Sequence, residues 1–148
     1  MIAVIQRCSK GEVLVDGEKV GKIGLGIVIL LGIEKGDSIN EVDILVNKII
    51  NLRIFNDENQ KMNRSLKDID GSALVISQFT LCGNIKKGRR PSFLSAANHL
   101  EGEKLYKFFI DKIKENSIIV ESGKFGSMMK VALVNDGPVT FFLDSKKL

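Results

Sequence analysis

Ile27-Val28-Ile29-Leu30-Leu31 is an uninterrupted apolar run whose entry is bracketed by Gly24 and Gly26. A run of this kind, bounded by turn residues, reads as a strand with both faces buried, and so as the central member of a sheet. Upstream, Ile2 to Ile5 is a short apolar run, and Val13 and Val15 alternate with their neighbours before Asp16-Gly17. That dipeptide suits the positive φ angles of a tight hairpin, with Val20 and Ile23 on the return strand. Downstream the period changes. Val42, Leu45, Val46 and Ile49 follow i, i+3, i+4, i+7, and Ser38 and Glu41 have the spacing of a capping box, which predicts a helix. Leu105, Phe108, Phe109 and Ile113 predict a second helix ending near Asn116, with Asn98 and Glu101 as a reciprocal cap. Its aromatic stripe has the spacing of a buried face and is read as core.

Between the helices, Asn56 to Gln60 reads as a polar loop, and Asp70-Gly71 as a turn into a buried strand at Ala73-Leu74-Val75-Ile76. Val131 to Val134 and Val139 to Leu143 read as two strands separated by Asn135-Asp136-Gly137-Pro138. No linker or repeat divides the chain. The expected fold is α+β: a mostly antiparallel β-sheet or barrel with about two main helices, residues 1–148 forming a single domain.

Composition narrows the function classes. The chain has 148 residues, 44% of them hydrophobic, enough for one substantial core. Gly24 to Ile33, within the longest uncharged stretch of the N-terminal half, is ten residues, against roughly 18 for a bilayer span. Residues 1–8 show no secretory pattern, so a cytoplasmic location without membrane contact is expected. Cys8, Cys82 and the lone His99 do not fill a zinc site, so neither metal nor cofactor is expected. His99, expected at a helix start, reads as a surface histidine. The net charge of +4 permits a polyanionic partner without requiring one. Lys86-Lys87-Gly88-Arg89-Arg90 concentrates cations just before Pro91; by composition alone it reads as a solvated loop.

Two short segments could carry chemistry. Ser77-Gln78-Phe79-Thr80 gathers hydroxyl and amide groups at the end of an apolar strand, where a rigid element can hold donors in a fixed array. Residues of these types at a strand end are more often simply satisfied polar groups, and no neighbouring histidine activates a hydroxyl. Asn135 to Thr140 reads first as a turn, or alternatively as a loop whose Gly-Pro carbonyls meet a ligand.

Taken together, Ala3-Val4-Ile5-Gln6-Arg7, Asn51 to Phe55, Ser77 to Leu81, Lys87-Gly88 with Arg90-Pro91-Ser92-Phe93, Gly123-Lys124-Phe125-Gly126 and Asn135 to Thr140 resemble the D-aminoacyl-tRNA deacylase family over nearly the whole chain. The resemblance implies a homodimeric hydrolase that cleaves the ester of a D-amino acid, or of glycine mischarged on alanine tRNA, from the terminal adenosine. It implies that a cis Gly137-Pro138 peptide of one subunit meets Ser77, Gln78, Phe79 and Thr80 of the other, rejecting L side chains by collision with main-chain carbonyls. It further implies amide donors at Phe79 and Thr80 for the developing oxyanion, Gln78 positioning the substrate, and Ser77 orienting the strand end. The ribose 2′-OH would assist the attacking water. Phe125 and Met129 would wall the pocket, Arg7 would support the Gly-Pro loop, and Lys86, Lys87, Arg89 and Arg90 would engage tRNA phosphates. Met128, Lys130 and Cys82 to Ile85 depart from the family pattern in ways that bear on substrate preference or dimer packing. A tRNA-binding module without ester turnover is the alternative from another class, and a small-substrate esterase using Thr80 or Ser77 directly is a third.

Overall fold

The computed structural model describes residues 1–86 and 88–148. Its large sheet is built on β1 (Ile2–Val15), which pairs antiparallel with β2 (Glu18–Ile23), β3 (Gly26–Gly32) and β8 (Lys130–Asp144). Beyond β3 the order continues through β6 (Ser72–Ser77) and β7 (Ile119–Ser122), and these two pairings are parallel. Among the described residues three of the five pairings in this sheet are antiparallel, so the expectation of a mostly antiparallel sheet holds, with a smaller parallel half formed by β3, β6 and β7. The parallel half arises because the β3-to-β6 and β6-to-β7 connections carry α1 (Ile39–Asn51) and α2 (His99–Lys114), crossovers that return the chain in the same direction. A small hairpin of β4 (Phe55–Asn56) and β5 (Met62–Arg64) occupies the stretch read as a polar loop, with residues 57–61 as its turn.

The sheet curls until β2 approaches β7. A Cβ at Gly21 would lie 2.9 Å from the carbonyl oxygen of Ser122, so only glycine lets these two backbones close the seam. The alternation of β3 then distributes its side chains between two cores. Ile27, Ile29 and Leu31 join the cluster under both helices, which includes Leu45, Ile49, Phe109 and Ile113. Val28 joins Cys8, Val13, Ile23, Leu74 and Ile76 inside the curled sheet. This is the two-faced burial expected of the central strand.

Both helices start where the caps predict. Ser38 accepts the Asn40 amide while Glu41 returns to the Ser38 amide at 2.7 Å. Asn98 accepts the Glu101 amide at 3.0 Å, and its own amide donates to the Glu101 carboxylate, so the return bond joins side chains. The C-terminal pair of strands is one strand. β8 pairs with β1 on both sides of residues 136–139, with Cys8 opposite Asn135 and Gln6 opposite Thr140. The chain bulges outward there without reversing, because Asn135 replaces the missing ladder bonds: its side-chain amide donates to Arg7 O at 2.9 Å and Val139 O at 3.0 Å.

Candidate active site

Strand β6 buries Ala73 to Ile76 and delivers Ser77 to the surface at the edge of both cores. The Gln78 amide donates to Leu31 O at 2.8 Å, tying the strand end to β3, and a single 3-10 turn follows over Phe79–Cys82. Its first internal bond runs from the Leu81 amide to Gln78 O at 3.2 Å. The amides of Phe79 and Thr80 therefore open the turn, ahead of any donor that the turn itself satisfies. Close packing holds this turn in place: a Cβ at Gly32 would sit 2.9 Å from Leu81 Cβ and 3.2 Å from Gln78 O.

Ser77, Gln78, Phe79 and Thr80 line one wall of a cavity of about 660 Å³, which Phe125, Met128, Met129 and His99 help to close. Helix α2 sets the position of Phe125. His99 meets its ring edge-on with centroids 5.2 Å apart, and the tilted Tyr106 ring lies at 5.5 Å. Tyr106 in turn donates its hydroxyl to Val75 O at 2.8 Å, so helix, aromatic loop and strand β6 are fastened together. Burial pushes the Tyr106 phenol up to about 12, which keeps that donor protonated. His99, read from sequence as a surface residue, is exposed yet stands on the cavity wall, with Glu103 at 4.0 Å. The signal that sequence offered for it was only its place at the start of α2.

The chemistry available in this wall is that of neutral donors. Gln78 Nε2 donates to the Thr80 hydroxyl oxygen. Among the described residues, neither the Ser77 nor the Thr80 hydroxyl is hydrogen-bonded to a basic side chain. Both thiols are buried; burial first, with Asp136 adding for Cys8 and Glu34 and Asp37 for Cys82, pushes them up to about 11, so neither is a thiolate at neutral pH. Among the described residues no group of three or more His, Cys, Asp or Glu side chains is placed to hold a metal ion, and no helix is long and apolar enough to cross a membrane.

The remaining expected residues lie elsewhere on the chain. Gly137 and Pro138 form the exposed crest of the β8 bulge, joined by a cis peptide, and are not among the residues lining the cavity. Arg7, buried among its neighbours, props this crest from below. Its Nε donates to Asp136 O at 2.7 Å and lies 3.2 Å from the Asp136 carboxylate, while Nη1 donates to Ile54 O at 2.7 Å. Lys86, Arg89 and Arg90 are exposed on a loop closed at its base by reciprocal Asn84 and Ser92 backbone bonds of 2.7 and 2.9 Å. Lys87 lies outside the described residues.

Fold and site define an α+β protein with a nearly closed sheet, whose pocket is lined by apolar side chains together with Ser77, Gln78 and Thr80. Residues 4–144 match the family described as D-Tyr-tRNA(Tyr) deacylase, and the chain belongs to that family. It is thereby a hydrolase. A D-aminoacyl-tRNA deacylase of Clostridium beijerinckii is 53% identical over 99% of both chains, and one of Geotalea daltonii is 56% identical over 99% of this chain and 98% of that one. Among solved structures, the c-Myc DNA unwinding element binding protein superposes with a TM-score of 0.92 at 39% identity, covering 97% of this chain and 98% of that chain. A probable eukaryotic D-amino acid tRNA deacylase shares the fold, with a TM-score of 0.77 at 20% identity over 96% of this chain and 97% of that one.

Proposed function

We propose that this chain hydrolyses the ester of D-aminoacyl-tRNA, and of glycine mischarged on alanine tRNA, with the aminoacyl end bound in the Phe125 and Met129 pocket. The observation that carries this reading is the opening pair of amides at Phe79 and Thr80, residues that line the cavity, in a chain more than half identical to curated deacylases. Attack on the ester carbonyl places negative charge on its oxygen, and fixed amide donors stabilise that charge without a metal or a charged side chain. Gln78 positions the ester, Ser77 orients the strand end, and the substrate's own 2′-OH assists the water. That last role suits a wall with no general base on either hydroxyl.

Chirality is read by the Gly137 and Pro138 carbonyls of a second copy. The crest is exposed and lies apart from the cavity of its own chain, as a cross-subunit role requires. The apolar side chains of Val134, Phe141 and Phe142, exposed on β8 to 45, 40 and 60%, offer the surface for such pairing. A D residue or glycine turns hydrogen toward the carbonyls; an L side chain collides with them. Lys86, Lys87, Arg89 and Arg90 hold tRNA phosphates, contacts that weaken with salt.

The test is hydrolysis of D-tyrosyl-, L-tyrosyl- and glycyl-tRNA beside an enzyme-free control. Cleavage of the D and glycyl esters with the L ester spared is expected, and a 2′-deoxy terminal adenosine should abolish it. Thr80→Ala should remain within about tenfold of wild type if amides rather than the hydroxyl do the work. Equal cleavage of the L ester would sink the filter. The second reading is nucleic-acid binding without turnover. It draws on the cationic loop and on the 39%-identical c-Myc DNA unwinding element binding protein, and predicts saturable tRNA binding with no ester loss.

A further inference from the structure

Phe79 and Phe93 meet edge to face, with ring centroids 4.9 Å apart and an interplanar angle of 66°. Both are exposed, to 59 and 37%, although apolar rings of this size are ordinarily buried. Phe79 stands on the cavity wall. Phe93 follows directly after the Asn84–Ser92 closure of the cationic loop, and its carbonyl accepts the Ala96 amide at 3.0 Å, which fixes its backbone from both sides. An uncovered aromatic pair thus lies between an apolar pocket and a loop carrying Lys86, Arg89 and Arg90. Among the described residues, none of these three cations is paired with a carboxylate.

We propose that the Phe79–Phe93 pair is a stacking platform for the unpaired nucleotides just 5′ of the terminal adenosine, so that it sets the path of the RNA from pocket to cationic loop. The proposal rests on the deacylase reading for the occupant of the pocket. Single-stranded RNA fits because it presents a flat π face and an anionic link in each repeating unit, matching a ring pair flanked by cations. The pairing is sequence-tolerant, as an enzyme acting on many tRNAs requires. A peptide would bring no such regular anion.

Phe93 can be varied without touching the amide donors. With D-tyrosyl-tRNA, Phe93→Ala and Phe93→Leu are expected to raise KM about tenfold with kcat unchanged, the loss of one stacked base. Phe93→Tyr, which keeps the π face, is expected to match wild type. With D-tyrosyl-adenosine, which lacks the upstream nucleotides, all three variants are expected to match wild type in both constants. An unchanged KM for Phe93→Leu on the tRNA overturns the platform. So does an equal rise on both substrates, which would mark a structural role. If wild type cleaves no D-aminoacyl ester, the deacylase reading has failed on its own. The platform is then judged by affinity for a ribotetranucleotide ending in adenosine: weaker binding by Phe93→Leu supports it and equal binding overturns it.

Discussion

Arg7 shows at the scale of one residue how a buried charge shapes an exposed backbone. Its guanidinium serves two carbonyls, Asp136 O and Ile54 O, and lies beside the Asp136 carboxylate. Removing the side chain strands the buried Ile54 carbonyl and frees the part-buried Asp136 carbonyl, so Arg7→Met should cost about 2 kcal/mol of stability. Hydrolysis of D-tyrosyl-tRNA should fall further than the folded fraction does, because the 136–138 crest loses its prop. Arg7 reaches the two carbonyls from two separate nitrogens of a planar fork, which the single ammonium nitrogen of lysine does not reproduce, so Arg7→Lys should recover little. Urea melts beside single-turnover rates check this, and full activity in a folded Arg7→Met protein would remove Arg7 from the positioning of the loop. Nothing in the spacing of Arg7 announces this role. It was legible only through the resemblance, because its partners lie far along the chain.

Elements were more legible than their pairings. Periodicity and the Ser38 and Glu41 spacing located α1, since both signals are local. The hydrogen bonds from the Ser38 hydroxyl and amide hold the Glu41 carboxyl down to about 2, from an ordinary 4.5. A carboxyl depressed on folding stabilises the protein above its unfolded value and loses that contribution as pH falls through the folded one. The cap therefore acts fully above about 4.5 and fades toward about 2. Ser38→Ala should cost about 1 kcal/mol at neutral pH, with the difference from wild type shrinking in acid, as urea midpoints across that range would record. An undiminished difference in acid would assign the cap's worth to something other than this carboxylate. Sequence missed β7 and the parallel pairings because both depend on crossovers between distant segments. It divided β8 in two because Gly137-Pro138 signals a turn wherever it stands, whereas the ladder on either side, supplied by β1, keeps the strand continuous.

For the whole molecule, the proposed filter requires two copies. Sedimentation should find a species of twice the 16.3 kDa chain, and Phe142→Glu, which charges an exposed β8 position, should yield monomers that fold but do not hydrolyse D-tyrosyl-tRNA. A fully active monomer would return the site to a single chain. The curled sheet and its two cores were foreshadowed by one apolar strand, whereas the separation of crest and cavity was implied only through the family resemblance, since it is a property of the closed fold. The long β1–β8 ladder has a consequence in time. Arg7 and the carbonyl it holds at Asp136 are 129 residues apart, and contacts across such a span must await the closure of a long loop, after helices and hairpins have formed. A refolding chain should thus regain its helical signal before its crest is shaped, with helicity recovered early and the proposed selectivity late.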